Sequence, residues 1–399
     1  MNSSHTFSSL GEAGFRWYWS STLFTYAAAQ MDTIVKGWLI FKMTDSAANL
    51  GLVTMSAGIP LIAMSLFGGV LADRVDRLKL LLVTQAIALL LAVTMCVLLA
   101  TGTIQFWHFI LLAALQGTVF AFIAPLRQSI IARLVRPSNL GSAVALSATS
   151  YNIMGIAGPA AVGLMLAFML PEHVYYVIIA CYLCGAFMLA FINLSREGVP
   201  AARPFHLDMA EAFRFVRGEK TVMGLLLIAL VSSFFCIPYI YMLPALASAV
   251  LHVDQVGFGF LCAAASAGAL IGSLAAGSLS AGRGRARLVL VLVLMAVFGV
   301  FLALSARFQL YPVALILILF TALTSSAYMT LCNTLILSGT PSALHGRVIS
   351  IFTMTTGLVT VGALPMGAIA DRAGLPIAFL VAGAIAVLFV LFMRLKMKQ

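Results

Sequence analysis

GGVLADRVDRLK, residues 68 to 79, sets five charges, Asp73, Arg74, Asp76, Arg77 and Lys79, in its last seven positions. Long apolar runs flank it on both sides, in a chain of 399 residues of which only 9% are charged. Hydrophobic residues make up 62%, well above the roughly 45–50% of ordinary soluble domains, and the mean hydropathy is +1.09. The composition is that of a chain dissolved in lipid, and the charged stretch is a turn between two crossings.

Runs of about 20 mostly apolar residues span the hydrocarbon layer as helices, and such runs follow one another from near residue 15 to near residue 394. Twelve spans are expected, centred near residues 29, 60, 90, 118, 155, 183, 236, 268, 296, 322, 358 and 384. The runs are continuous, whereas a membrane barrel would show segments of about 10 residues with alternating polarity. The longest interruption is RPFHLDMAEAFRFVRGEK, 203 to 220, in which Leu207, Ala210, Phe213 and Val216 recur at helical spacing. It reads as an amphipathic helix in the interface, joining two halves. The expected domains are therefore residues 1–195, a cytoplasmic linker 196–220, and residues 221–399.

Basic residues in short loops are retained on the cytoplasmic side. With the N-terminus inside, cytoplasmic segments hold eighteen Lys and Arg and the opposite loops three, Lys42, Arg307 and Arg372. Both termini are expected in the cytoplasm. The net charge of +11 then follows from topology and anionic lipid, with no nucleic acid partner implied. MNSSHTFSSLGEAGFRWYW has no secretory-signal pattern, so the first span is expected to be retained. All six cysteines lie in apolar runs, and Cys181 and Cys184 have no nearby His or acidic residue with which to hold a metal. No metal and no cofactor are expected.

The chain also repeats itself. Gly69, Arg77 and Lys79 match Gly277, Arg285 and Arg287 at an offset of 208; Pro137 and Leu140 match Pro341 and Leu344 at 204; Pro159 and Pro365 are 206 apart. Two pseudo-symmetric six-helix bundles, related by an axis along the membrane normal, are the simplest all-α architecture, and such folds bind substrate near the midplane.

Gly69, then Asp73 and Arg74, then Arg77, after the second span, resembles the signature loop of the major facilitator superfamily. Asp76 stands where that family usually has Gly, and Leu78 where it has a basic residue. KGWLIFKMTDSAANLGLV (36–53), APLRQSIIARLVRPSNL (124–140), IAGPAAVG (156–163) and HGRVISIF (345–352) bring the resemblance closer to the enterobactin-exporter-type bacterial efflux branch. It covers essentially the whole chain and implies a multi-pass transporter of the bacterial inner membrane. Asp73 would sit at the end of a helix whose terminal carbonyls are already negative. The resemblance implies that it meets Arg77 and the start of a helix from the other half when the cavity faces outward. Such a latch, Gly69, Asp73, Arg74 and Arg77, needs only a few kcal/mol to bias two states.

Charges within spans cost roughly 2.5–3.5 kcal/mol each on insertion scales. Asp32 is the one acid deep in a span, and Lys36 follows four residues on, the order in which acid and base attract along a helix. The pair is either a static ion pair or a proton-coupling site, where burial disfavours the charge of Asp32 and Lys36 stabilises it. Arg127 is the other costly charge; it could recognise an anionic or catecholate-like substrate, hold Asp32, or reach inner-leaflet phosphates. Gln30, Gln116, Gln128, Tyr151, Asn152, Tyr239, Tyr241 and Asn333 are further cavity candidates, each also suited to an interhelical hydrogen bond. Gly158, Pro159 and Gly163 resemble the exporters' Gly-Pro motif, with Met154 where that motif has a preceding Gly, and are expected to form a tight, kinked helix contact between the halves.

The leading expectation is a monomeric secondary transporter for proton-coupled efflux of a small amphiphilic compound, drug or siderophore, by alternating access. Uptake or facilitated exchange of a metabolite on the same fold is the second expectation, and a membrane-embedded binding or assembly protein the third. Enzymatic chemistry is not expected: no phosphate loop of the Gly-x-x-x-x-Gly-Lys type occurs, and GSLSAG (277–282) matches a nucleophile elbow only in part.

Overall fold

The computed structural model describes residues 8–74, 76–136, 139–192, 213–279, 285–305, 307–341 and 344–396. Twelve long helical elements run through them: α1 (Ala13–Thr44), α2 (Ala47–Arg74), α3 (Arg77–Ala100), α4 (Phe106–Leu134), α5 (Leu140–Phe168) and α6 (Pro171–Leu189); then α7 (Lys220–Val250), α8 (Gln255–Leu279), α9 (Arg285–Ser305), α10 (Tyr311–Ser338), α11 (His345–Ala373) and α12 (Leu375–Lys396). Each centre read from the sequence falls inside one of them. No strand occurs among the described residues, as the need to satisfy every backbone group inside lipid demands of a chain that is not a barrel.

Eleven of the elements are long and apolar enough to cross a membrane. The other, α1, has the length at 32 residues, but Ser20, Ser21, Thr22, Thr25, Gln30 and Asp32 lower its hydropathy. The outward surface is oily: Leu90, Phe187, Leu274 and Leu388 are each more than 60% exposed, which suits contact with acyl chains and not with water.

The repeat is visible in the elements themselves. α4 and α10 begin at 106 and 311, α5 and α11 at 140 and 345, an offset of 205 in both cases. Both α5 and α11 are 29 residues long, with Pro159 and Pro365 inside them. The first and seventh helices break the likeness. α1 is one continuous α-helix, whereas α7 passes through a π turn at Ser232–Cys236, a 3-10 segment at Ile237–Met242 and a second π turn at Leu246–Val250. Pro238 and Pro244 lack the N–H that regular helix bonding needs there.

Asp76, within the opening stretch, caps α3: its carboxylate accepts from the amides of Leu78 at 3.1 Å and Lys79 at 3.3 Å. Carboxylates favour helix N-termini, so this charge has a local structural task. Gly374 alone joins α11 to α12, at φ +90°, a conformation open to glycine. Of the amphipathic stretch 203–220, residues 203–212 lie outside the described residues; 213–218 are helical, with Val216 buried and Phe213 exposed.

By contact the chain divides into two units, residues 1–39 with 59–201, and residues 40–58 with 202–399. The first has a core of Phe15, Tyr18, Leu81, Ile130 and Leu189. The second packs Tyr239, Phe298, Tyr328 and Phe379 as tilted and edge-on rings at centroid distances of 5.7–6.3 Å, an arrangement aromatic pairs prefer. The second unit also contains the start of α2, which lies against the end of α11: a side chain at Gly367 would collide with the Ala47 carbonyl. There Asp371 accepts from the amides of Ala47 at 2.7 Å and Ala48 at 3.1 Å and from the Ser46 hydroxyl at 2.5 Å. An acid near the C-terminal end of its own helix, an unfavourable place for it, is thus stabilised by the N-terminus of another.

Candidate functional site

Among the described residues, the buried charges lie in the first unit. Thr25, Ala29, Asp32 and Lys36 follow one another by four, three and four residues and so share one face of α1. Asp32 is 6% exposed. Its Oδ2 receives Lys36 Nζ at 2.7 Å, and its Oδ1 receives the Tyr175 hydroxyl of α6 at 2.9 Å. Both carboxylate oxygens are therefore engaged, in surroundings where an unpaired charge would be costly.

A polar clamp holds the helices that present this pair. The Gln85 amide of α3 donates to Thr25 Oγ1 at 3.0 Å and to the Tyr182 carbonyl at 3.2 Å, and Ser21 Oγ donates to the Gly185 carbonyl at 2.7 Å. Gly185 permits the approach, since a Cβ there would lie 2.6 Å from Gln85 Nε2 and 2.9 Å from Thr25 Oγ1. Sequence reasoning did not single out Gln85, Tyr175 or Tyr182. Tyr175 and Tyr182 are seven residues apart, two turns along one face of α6, a spacing that apolar core residues share.

Arg127, in α4, is 7% exposed. Its guanidinium carbon lies 4.3 Å from the centre of the Tyr26 ring, a cation–π distance, and Tyr26 meets Tyr151 edge-on at 5.2 Å. Its Nε and Nη1 are buried and have no hydrogen-bond partner. Arg127 and Gln116 line one pocket together with Tyr26, Thr25, Gln85 and Tyr182. Among the described residues the one ion pair at Asp32 is with Lys36, and none joins Asp32 to Arg127.

The other candidates lie as follows. Gln30 and Asn152 are half-buried and Tyr151 is 52% exposed. Gly158 is buried, and a Cβ on it would stand 3.1 Å from Gln30 Cβ, so what Gly158 meets is α1 within the first unit. Pro159 and Gly163 are buried in the same helix. In the second unit Tyr239 is packed between Phe298 and Phe379, Tyr241 is half-buried, and Asn333 Oδ1 is buried without a partner. Arg77 opens α3. The side chains of Gly69, Asp73, Arg74 and Gln128 lie outside the described residues. Among the described residues no cluster of His, Cys, Asp or Glu could hold a metal ion.

At the C-terminal end of α4, Glu12 ties the residues before α1 to the turn before α5. Its Oε1 accepts from the Arg136 amide and the Asn139 side chain, each at 3.0 Å. The Arg136 amide, with help from Asn139, holds the Glu12 carboxyl below the usual carboxylate range.

Comparison with known proteins agrees with this architecture. The family described as transmembrane secretion effector matches residues 4–399. The chain is 23% identical over 372 residues to the staphyloferrin A transporter of Staphylococcus aureus, covering 92% of each chain. It is 28% identical over 331 residues to the enterobactin exporter EntS of Escherichia coli, covering 79% of this chain and 74% of that one. Among solved structures, a mutant of the nucleoside transporter NupG superposes with a TM-score of 0.80 at 12% identity, over 97% of this chain and 100% of that one. At that identity the likeness shows the fold alone.

Proposed function

Since the chain belongs to the transmembrane secretion effector family of major facilitator transporters, we propose that it is a secondary-active exporter of the bacterial inner membrane that moves a small amphiphilic compound, drug or siderophore, outward against entering protons. One observation carries the reading: a buried carboxylate, Asp32, held at the same time by Lys36 and Tyr175. A carboxylate that must change its protonation needs partners for both states, and Tyr175 can hydrogen-bond to either the acid or the anion.

In the cycle that follows, Asp32 is a carboxylate paired with Lys36 when it faces the cytoplasm. A proton arriving from the outer side cancels that attraction and frees Lys36, and the loss of the ion pair shifts the balance between the two access states. A differential affinity of about 5.5 kcal/mol would carry the population from 1:99 to 99:1. On this reading both termini are cytoplasmic, Gly69, Asp73, Arg74 and Arg77 form the inner latch, and one chain suffices. Export is favoured by two relatives, an enterobactin exporter and a multidrug efflux pump.

The test is reconstitution into proteoliposomes with an imposed pH gradient, using 2,3-dihydroxybenzoate as the transported probe. Asp32→Asn should abolish gradient-driven movement and spare binding. Undiminished uphill transport by that variant removes Asp32 from the mechanism, and probe movement in the same direction as the protons replaces export with uptake.

A further inference from the structure

GAIADR, residues 367–372, lies near the end of α11, and GVLADR, residues 69–74, ends α2. A Gly, then Ala-Asp-Arg three residues on, thus closes two long helices. The copies stand 298 residues apart, whereas the halves repeat at 204 to 208, so the second copy does not come from that repeat.

In α11 the geometry gives the pattern a task. Gly367 is buried, and a Cβ on it would collide with the Ala47 carbonyl of α2. One turn further on, Asp371 accepts from the amides of Ala47 and Ala48 and from the Ser46 hydroxyl. The glycine admits the start of α2 and the acid fastens it, because the first amides of a helix lack partners within it and favour an anion.

The close approach continues along the pair. A Cβ at Gly51 would collide with the Ala363 carbonyl, and one at Gly58 with the Thr360 hydroxyl. Rising positions in α2 meet falling ones in α11, so the two helices run antiparallel with almost no side chain between them. A seam lined by glycine has few side chains to interlock and can part without repacking rotamers. All of these residues belong to the second unit, and α2 then runs on into residues of the first. Pro60 lies inside the helix at that passage. It removes one backbone hydrogen bond, which lets the first turns of α2 bend against the rest.

We propose that residues 367–372 are an outer clasp: Gly367 and Asp371 hold the start of α2 against the end of α11 while the outer side is closed, and this seam parts for cargo to leave outward. The proposal rests on the transporter reading above, with both termini cytoplasmic, and adds to it the device that governs the outer opening. Asp371 acts as a helix cap and is assigned no proton.

The experiment uses the full-length chain in phosphatidylcholine nanodiscs and a membrane-impermeant maleimide, with labelling read by peptide mass spectrometry at one introduced cysteine at a time. Ala363→Cys reports on the seam, where Ala363 is fully buried. Ala148→Cys reports on the inner side; Ala148 shares an exposed face of the first half of α5 with Ala145 and Thr149. Asp371→Ala should label roughly fivefold faster at position 363, the factor that loss of a helix cap makes in an equilibrium. Asp371→Asn, which keeps one acceptor, should fall between that variant and wild type. Gly367→Ala with Asp371→Ala leaves no room for the closed seam, so position 363 should label faster still and position 148 more slowly than in wild type. Faster labelling at both positions would mean local unfolding, and an unchanged rate at 363 would mean that the seam is not the barrier; either result overturns the proposal. Should the double variant not fold, opposite changes at 363 and 148 in Asp371→Ala decide in its place, and an unchanged rate at 148 there overturns the proposal. The labelling needs neither cargo nor a proton gradient, so an error in the export reading leaves it interpretable. Opposite changes at the two positions in Asp32→Asn, with none in Asp371→Ala, would keep alternating access and remove the clasp alone.

Discussion

The Tyr175 hydroxyl donates to Asp32 Oδ1 at 2.9 Å while Lys36 Nζ stands 2.7 Å from Oδ2, so that one buried carboxylate is shared between its own helix and α6. Removing one partner leaves the other stranded. Lys36→Met should destabilise the protein by about 3–5 kcal/mol, the range for a broken buried pair, whereas Asp32→Asn with Lys36→Met should recover much of that loss. Chemical unfolding of both variants in the same micelle provides the measurement, and strictly additive costs would contradict the pairing. Tyr175→Phe should cost less, about 1.5–3 kcal/mol, as a hydrogen bond to a charged group.

Gly185 stands where three helices come within reach of one another. Gly185→Val would drive a branched side chain into Gln85 and Thr25. The overpacking should cost about 1–3 kcal/mol or more. Thermal unfolding of the variant should show a lower midpoint, and an unchanged midpoint would mean that α1, α3 and α6 are less closely packed than these contacts require.

Asp371 uses both oxygens at the start of α2. Asp371→Ala should cost about 0.5–2 kcal/mol, as the loss of a helix cap does. The amides of Ala47 and Ala48 should exchange faster with solvent. Asp371→Asn, which keeps one acceptor, should protect one of the two amides and not both, a pattern that hydrogen exchange can resolve.

Glu12 gives a pH dependence of known sign. Its carboxyl is held below the usual carboxylate range in the folded protein by the Arg136 amide and Asn139. The tether is therefore fully present above the unfolded value and is lost as the pH falls through the lowered one. Glu12→Ala should speed exchange of the Arg136 amide at neutral pH, and the difference from wild type should vanish in acid.

The number and places of the helices were legible because run length and hydropathy are local properties, set by the bilayer and not by the neighbours. The cost of charge in lipid likewise marked Asp32, Lys36 and Arg127 in advance. Their partners were hidden. Tyr175 sits at the start of an aromatic stretch where Tyr176 would have served as well on spacing alone, and only the rotation of α6 against α1 distinguishes them. Nothing in the hydropathy pattern marks Asp371, and its contact with Ala47 spans 324 residues, beyond anything periodicity reports. Asp76, read as a departure from a family pattern, is the cap of α3. Gly158 marked a close approach in the sequence, and the side chain it approaches within its own unit, Gln30, lies 128 residues away in the chain, beyond what local spacing reports.

The described residues of the second unit bury hydroxyls such as Ser232, Thr321 and Thr324 at depths where the first buries Asp32 and Arg127. A transmembrane voltage acts on charge, at about 2.3 kcal/mol per elementary charge per 100 mV for a full crossing. Among the described residues, the buried charges on which such a voltage would act, Asp32 and Arg127, therefore lie in the first unit.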